Sequence, residues 1–118
     1  MAVAKRNEGH VKSDCKKVLK ALPACSFFMP VQNGMGEAGI PDMLLCIAGD
    51  YWGVELKAPG KPTTPWDVMD ASNRFEDTCV SANQTRKLKE IRDAGGIAYV
   101  VDDVEQLIEA LKVHGHME

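Results

Sequence analysis

The sequence predicts an α/β domain, on the basis of its length, its composition and its order of apolar patterns. The chain has 118 residues, which is the usual size of one domain. Hydrophobic residues make up 45% of it and charged residues 26%, as in an ordinary globular protein. Stretches with helical apolar spacing and short apolar runs follow one another in the order αβββαβα, which indicates a sheet with helices packed around it.

The first half of the chain predicts one helix and three strands. Apolar residues recur at helical spacing from Glu8 to Leu22, and Pro23 ends that pattern. Gly49-Asp50 separates the second and third apolar runs, so we expect these two runs to form a hairpin around a two-residue turn. The predicted strands are Cys25–Val31, Met43–Ala48 and Tyr51–Leu56.

The second half predicts helix, strand and helix after an irregular stretch. Residues 58–80 begin with a proline-rich loop, and a short helix is expected within them at about Val68–Phe75. Gly95-Gly96 caps the helix that follows this stretch. The remaining predicted elements are the helix Ala82–Ala94, the strand Ile97–Val101 and the helix Val104–Leu111.

We expect several cysteine, histidine and aromatic side chains to have no catalytic or metal-binding role. The cysteine spacings fit no zinc template, and we expect Cys15 and Cys46 to act as small core hydrophobes. His114-Gly115-His116 could bind a metal weakly, but a frayed tail is the expectation. The aromatic residues expected in the core are Phe27, Phe28, Trp52 and Tyr99.

Charge and hydropathy predict the compartment in which the protein acts and argue against one mode of nucleic-acid binding. The formal net charge of −3 argues against a protein that coats nucleic acid by charge alone. No apolar run is long enough to cross a bilayer, and the first residues lack the apolar stretch of a signal peptide. We therefore expect a cytoplasmic protein that makes no membrane contact.

The predicted hairpin brings three charged residues to one face of the sheet. With Gly49-Asp50 as the turn, residue 48 pairs with 51, 44 with 55, and 42 with 57. Opposed residues of an antiparallel pair share a face, and side chains alternate along a strand. Asp42, Glu55 and Lys57 therefore point to the same side. If Glu-x-Lys stood alone, an ion-pair cluster on a partly exposed sheet face would be the favoured explanation for these residues.

The residue types suit phosphodiester hydrolysis. Mg²⁺ prefers oxygen ligands, which Asp42, Glu55 and the backbone carbonyl of Leu56 can supply. Such an ion polarises a phosphate and activates water, and Mn²⁺ is expected to substitute for it. The positive charge of Lys57 would orient the water or, as we favour, stabilise the transition state.

Two longer motifs carry a family resemblance. Gly39-Ile40-Pro41-Asp42 with Val54-Glu55-Leu56-Lys57-Ala58-Pro59-Gly60 resembles the PD-(D/E)xK nuclease superfamily, and within it the virus-type replication-repair nuclease (VRR-NUC) family. The segment from Gln84 to Val101 resembles that family's helix and strand after the catalytic hairpin. The resemblance spans about residues 8–111 and implies a restriction-endonuclease-like core, with a mixed central sheet flanked by helices.

The resemblance also implies further site residues. The family has an acidic residue on its first helix that completes the metal site, and Glu8 matches it best, with Asp14 as the fallback. Gln84 matches a glutamine that would hydrogen-bond a water or phosphate. An exposed helix charge and an exposed helix terminus are the alternatives for these residues. The chain departs from the family pattern by about twenty residues before Gln84, so we expect a single domain, 1–118, with an insertion at about 63–81.

The resemblance implies a homodimer that cuts branched DNA, such as four-way junctions, without a small-molecule cofactor. It also implies a role in phage or mobile-element replication and repair, in the cytoplasm of a bacterium or a phage-infected host. Residues 1–36 carry six basic and two acidic side chains, although a solvated helix face would look the same. Two alternatives stay open: a nonspecific or nicking nuclease, acting alone or as a subunit of a larger complex, and a non-catalytic nucleic-acid-binding module. The expected DNA contacts are Lys12, Lys16, Lys61 and Arg86.

Overall fold

The computed structural model describes residues 6–31, 38–60 and 80–118. The order αβββαβα predicted from the sequence is confirmed. No helix in these three stretches is long and apolar enough to span a membrane. The elements are α1 (Glu8–Ala21), β1 (Cys25–Phe28), β2 (Met43–Ile47), β3 (Asp50–Leu56), α2 (Ala82–Asp93), β4 (Ile97–Val101) and α3 (Val104–Val113).

The four strands form one mixed sheet in the order β1-β2-β3-β4. Strands β1, β2 and β3 are antiparallel neighbours, whereas β3 and β4 are parallel. A parallel pair needs a long connection that returns to the same end of the sheet, and α2 lies within that connection. The antiparallel hairpin and the parallel crossover therefore meet at β3.

The hairpin register predicted from the sequence is wrong by two residues. Ile47 pairs with Asp50, so Ala48 and Gly49 form the turn. Both turn residues have positive φ, 48° and 90°, as the tightest hairpin turns require at both central positions. Gly49 occupies the second central position rather than the first. Because the error is an even number of residues, every side chain stays on its predicted face.

The helices cover the two faces of the sheet unequally. The larger core cluster lies on the side of α1 and α3, and β3 contributes Trp52, Val54 and Leu56 to it. A smaller cluster lies under α2 and includes Ile91. A Cβ atom at Gly53 would lie 2.5 Å from the Ile91 side chain, so the missing side chain lets α2 approach β3 closely.

Two core predictions are wrong for the same reason. Phe28 is 63% exposed and Cys46 is also exposed, although Cys15, Trp52 and Tyr99 are buried as expected. The register places Phe28 and Cys46 on the α2 side of the sheet, at strands that make no packing contact with α2. Strand β1 also ends at Phe28, earlier than predicted.

The predicted frayed tail is wrong as well. His114 stacks edge-on against Trp52 and lies with Nε2 3.1 Å from the Tyr99 hydroxyl. His116 Nε2 lies 3.0 Å from Asp50 Oδ2 and contributes to the same aromatic group. The large Trp52 ring extends the core to the chain end, and the two histidines complete its packing.

The predicted insertion falls largely outside the described residues, which omit 61–79. The short helix expected at Val68–Phe75 and the expected DNA contact Lys61 both lie there. The last two residues of the predicted insertion belong to the α2 structure, because Val80 is buried in the smaller core cluster and Ser81 is the N-cap of the helix.

Candidate active site

Two carboxylates meet where β2 begins and β3 ends. The observed register pairs Met43 with Val54, and continuing it by one residue places Asp42 opposite Glu55. The Leu56 backbone N–H donates a 2.9 Å hydrogen bond to Asp42 Oδ2. This bond fixes the Asp42 side chain against the strand that carries Glu55, so the two acidic groups are neighbours as the sequence predicts.

Glu55 is the buried charged residue among those the structure describes, with 3% of its surface exposed. Burial and the neighbouring Asp42 carboxyl raise the pKa of Glu55 to about 9, with burial the largest cause and Lys57 acting in the opposite direction. Its Oε2 atom is fully buried and has no hydrogen-bond partner. An unpartnered buried carboxylate oxygen is costly unless a ligand completes it.

Gln84 joins Glu55 to Lys57. Lys57 Nζ lies 3.3 Å from Gln84 Oε1, and the same oxygen accepts from the Ser81 N–H at 2.9 Å. Both of these groups can only donate, so the amide atom facing them is the oxygen. Gln84 Nε2 consequently faces Glu55 Oε1, to which it donates at 3.1 Å. Lys57 Nζ is itself 4.0 Å from that carboxylate oxygen.

The first turn of α2 explains why Gln84 reaches the sheet. Ser81 caps the helix by accepting from the Gln84 N–H at 3.2 Å, and the Gln84 side chain returns to the Ser81 N–H. This reciprocal capping box holds the Gln84 side chain at the helix terminus facing Glu55 and Lys57. The signal was present in the sequence as Ser81-Ala82-Asn83-Gln84, and sequence reasoning missed it.

Gly39 allows the loop that leads to Asp42 to lie close to α2. Its φ is 83°, and a Cβ atom there would lie 2.3 Å from the Asn83 carbonyl oxygen. The loop therefore packs against the first turn of α2 because this residue has no side chain. The role of this glycine is thus to let the loop pack on α2.

Asp102 anchors the chain that leaves the site. Its carboxylate accepts a 2.9 Å hydrogen bond from the Gly60 N–H, and the Lys57 N–H donates to the Val101 carbonyl at 2.9 Å. The segment after β3 is thus tied to the end of β4. Sequence reasoning missed Asp102, because no short motif links residues 42 positions apart.

The two candidates for the first-helix acid occupy different environments. Glu8 is exposed at the start of α1, and its pKa is raised by partial burial and by the Asp42 charge, while Lys57 and Lys12 oppose the rise. Asp14 instead forms an ion pair with Arg6. The charges of the site therefore act on Glu8, which makes Glu8 the better candidate.

The structure does not assemble the three carboxylates that the sequence led us to expect around a metal. In the described part of the chain, no three His, Cys, Asp or Glu residues are grouped closely enough to hold an ion. Asp42 and Glu55 are close, and Glu8 lies farther out. Mg²⁺ is commonly bound through one or two carboxylates with several waters, so the Asp42–Glu55 pair with its unpartnered Glu55 oxygen still suits it.

The expected DNA contacts lie on two different helices. Lys12 and Lys16 are on α1, while Arg86 is exposed on α2. Arg86 follows Gln84 by two residues, so it lies on a different side of the helix from the residue that faces the site. Among these side chains, Lys12 lies near enough to Glu8 for its charge to act on that carboxyl.

Comparison with known proteins supports the fold. No protein-family model and no curated protein matches this chain in sequence. A solved structure described as a VRR_NUC domain matches with a TM-score of 0.58 and 22% sequence identity, covering 95% of this chain and 99% of that one. The resemblance predicted from the motifs is therefore found in three dimensions: the αβββαβα order and mixed sheet are those of a VRR_NUC domain, whose core is restriction-endonuclease-like.

Proposed function

We propose that this chain is a metal-dependent DNA endonuclease that hydrolyses phosphodiester bonds. The observation that carries the proposal is the buried Glu55, which shares its surroundings with Asp42 and is linked through Gln84 to Lys57. Burying a carboxyl group beside a second one is unfavourable for folding, so the arrangement needs another explanation. The VRR_NUC fold supplies the reaction class to which such a site belongs.

Asp42 and Glu55 would hold the ion, with the Leu56 carbonyl as an additional oxygen ligand. When bound, Mg²⁺ or Mn²⁺ supplies Lewis-acid activation of the phosphate and of the attacking water. The residues fit such an ion because one oxygen of Glu55 has no partner, and because a cation would offset the burial and the Asp42 charge that raise the pKa of this side chain. Glu8, at the edge of the site, would act on the ion at longer range.

Lys57 would stabilise negative charge on the phosphate. It is only partly exposed, with 16% of its side-chain surface accessible, so its charge is screened less than that of a surface lysine. Gln84 holds the ammonium group from one side with its amide oxygen, which leaves the other donors of Lys57 for a substrate. A charged group that is held in place before the reaction can stabilise a charged transition state without having to reorganise.

Gln84 has a positioning role in this proposal. Its oxygen already accepts from Lys57 and Ser81, and its nitrogen donates to Glu55. The amide therefore sets the separation between the carboxylate and the ammonium group. The direct contact with water or phosphate that the resemblance implies would require the amide to give up one of these protein partners.

The finer proposal is a junction-resolving enzyme that acts as a homodimer. Two identical sites related by twofold symmetry would address two strands of a symmetric four-way junction. This part rests on the family resemblance. The alternatives are a nonspecific or nicking nuclease, a nuclease subunit of a larger complex, and a binding module without catalysis.

One substrate panel tests the proposal. Labelled four-way, flap and linear DNA of matched sequence are incubated with the protein in Mg²⁺ and in Mn²⁺, with Lys57→Ala as the control. Symmetric cutting of the junction alone, lost in the variant, supports the resolvase. Cutting of all three substrates supports a nonspecific nuclease, and binding without cutting in either metal supports the binding module.

A further inference from the structure

Four lysines of α1 line one groove on the helix surface. Lys12, Lys16 and Lys20 recur every fourth residue, and Lys17 stands beside them. Two small residues, Gly9 and Ser13, also line this depression. We refer to the surface formed by these six residues as the lysine groove. Small residues among long basic side chains leave room for a chain of phosphates to lie between the ammonium groups.

The lysines of the lysine groove form no ion pair within the described residues, although the Lys12 charge acts on the Glu8 carboxyl at longer range. No carboxylate there lies within ion-pair distance of Lys12, Lys16, Lys17 or Lys20. Other basic residues of the protein do have such partners, as in Lys87–Glu90 and Lys112–Glu109. Asp14, the acidic residue in the middle of α1, is paired with Arg6.

The lysine groove begins next to the proposed site. Gly9 directly follows Glu8, and the charges of Asp42 and Lys57 act on the Glu8 carboxyl. From there α1 runs away from the site. At a rise of 1.5 Å per residue, Lys12 and Lys20 are separated by ~12 Å along the helix axis, which is about three to four phosphates of one DNA strand.

We propose that the lysine groove binds the phosphate backbone of one DNA arm that leaves the active site, so that the enzyme needs duplex DNA on one particular side of the cut. This inference rests on the proposed function, because it takes the Asp42–Glu55 pair as the place of cleavage. A row of unpaired ammonium groups matches a polyanion and gives no base-specific hydrogen bonds. The lysine groove therefore contributes affinity and orientation without sequence preference.

A pair of charge-matched variants tests the inference. Lys16→Gln/Lys20→Gln removes two charges from the lysine groove, and Lys89→Gln/Lys112→Gln removes two from α2 and α3. Glutamine keeps side-chain length and helix propensity. DNA binding is measured by fluorescence anisotropy between 50 and 200 mM salt with divalent ions chelated, and folding is checked by circular dichroism. We expect the first variant to reduce the slope of log K against log salt by about 2, since each phosphate contact contributes ~0.9. The control slope should match the wild type.

Substrates with one shortened arm supply the second readout. Trimming the arm that lies in the lysine groove should raise KM about as much as the Lys16→Gln/Lys20→Gln variant does, with kcat unchanged. Trimming the opposite arm should have little effect. Equal loss of slope in both variants, or no loss in either, overturns the inference.

The same data separate the inference from the proposed function. A wild type that cuts DNA while the two variants lose slope equally leaves the function standing and refutes the lysine groove. A wild type that binds DNA through the lysine groove and cuts no substrate refutes the nuclease and keeps the binding surface. Absence of DNA binding at low salt contradicts both.

Discussion

The two faces of strand β3 perform different tasks in the same seven residues. On one face Trp52, Val54 and Leu56 are fully buried in the main core against α1 and α3. On the other face Gly53 admits α2, and Glu55 is buried among polar groups with one oxygen unpartnered. The first face is what a stable sheet requires. The second face lowers stability, which is explained if a ligand binds there. Substitutions on the first face should therefore change the free energy of unfolding, and substitutions on the second should change the cleavage rate.

The largest expected effects come from the face under α2. Asp42→Asn, Glu55→Gln and Lys57→Ala should each reduce the single-turnover cleavage rate by at least ~10²-fold. The first two remove a carboxylate that would hold the ion, and the third removes the positive charge that would face the phosphate. Tyr51→Phe, on the same face at the far end of the strand, should cut at the wild-type rate. Normal cleavage by all three site variants would show that the site lies elsewhere.

The apolar face should determine stability instead. Trp52→Ala should lower the free energy of unfolding by about 3–5 kcal/mol, because it leaves a large cavity between β3 and the stacked Tyr99 and His114. Urea unfolding measures this loss, and Tyr51→Ala, one residue away and exposed, is the control with little change. At low temperature, where Trp52→Ala is still folded, its cleavage rate should stay close to that of the wild type. A hundredfold loss of rate in the folded variant would end the distinction between the faces.

The sequence could predict this contrast between the two faces because the error in the predicted register was an even number of residues. The alternation of β3 placed Asp42, Glu55 and Lys57 on one side even with the turn at the wrong residues, because an error of two leaves faces unchanged. Ala48 in the left-handed region could not be predicted, since alanine rarely adopts it. The bond from Gly60 to Asp102 and the packing of Gly39 on Asn83 join distant segments and depend on tertiary approach, which local pattern does not encode.

The predictions for the C-terminal tail and for the exposed part of the α2 side of the sheet were wrong for a related reason. His114 and His116 carry no local signal for packing, and only the position of Trp52 makes them part of the core. Phe28 and Cys46 have core-like residue types, but α2 covers only the β3–β4 half of its face. Residue type predicted burial correctly only where a helix was present to cover the strand.

The pH dependence of the metal-free protein tests the buried carboxyl group on the face under α2. The folded-state pKa of Glu55 is about 9, above its ordinary value of 4.5, so the folded state holds a proton that the unfolded state releases. Stability should therefore fall as pH rises from about 5 to 9, by at most about 1.4 kcal/mol per pH unit. The free energy of unfolding, measured with a chelator present at several pH values, should show this decline for the wild type. The decline should be absent in Glu55→Gln, which mimics the protonated group. Parallel curves for the two proteins would mean that Glu55 is charged without a metal.

The smallest effect distinguishes the two acids of α1. Glu8→Gln should weaken Mg²⁺ binding by about tenfold or less, because Glu8 acts on the Asp42–Glu55 pair through its charge and not as a close ligand. Asp14→Asn should leave the affinity unchanged, since that carboxylate is paired with Arg6. Calorimetric titration of the two variants side by side measures the difference. The reverse order of effects would move the first-helix role to Asp14.

The most direct test of the central claim is a calorimetric titration of Mg²⁺ into the wild-type protein at pH 8, repeated in two buffers of different ionisation enthalpy. If Asp42 and Glu55 hold the ion, binding must remove the proton that burial and Asp42 keep on Glu55, so close to one proton should be released per ion. Glu55→Gln should lose both the binding and the proton. Mg²⁺ binding of equal affinity in the wild type and in Glu55→Gln, without proton release, would contradict the claim that this buried carboxylate forms the metal site.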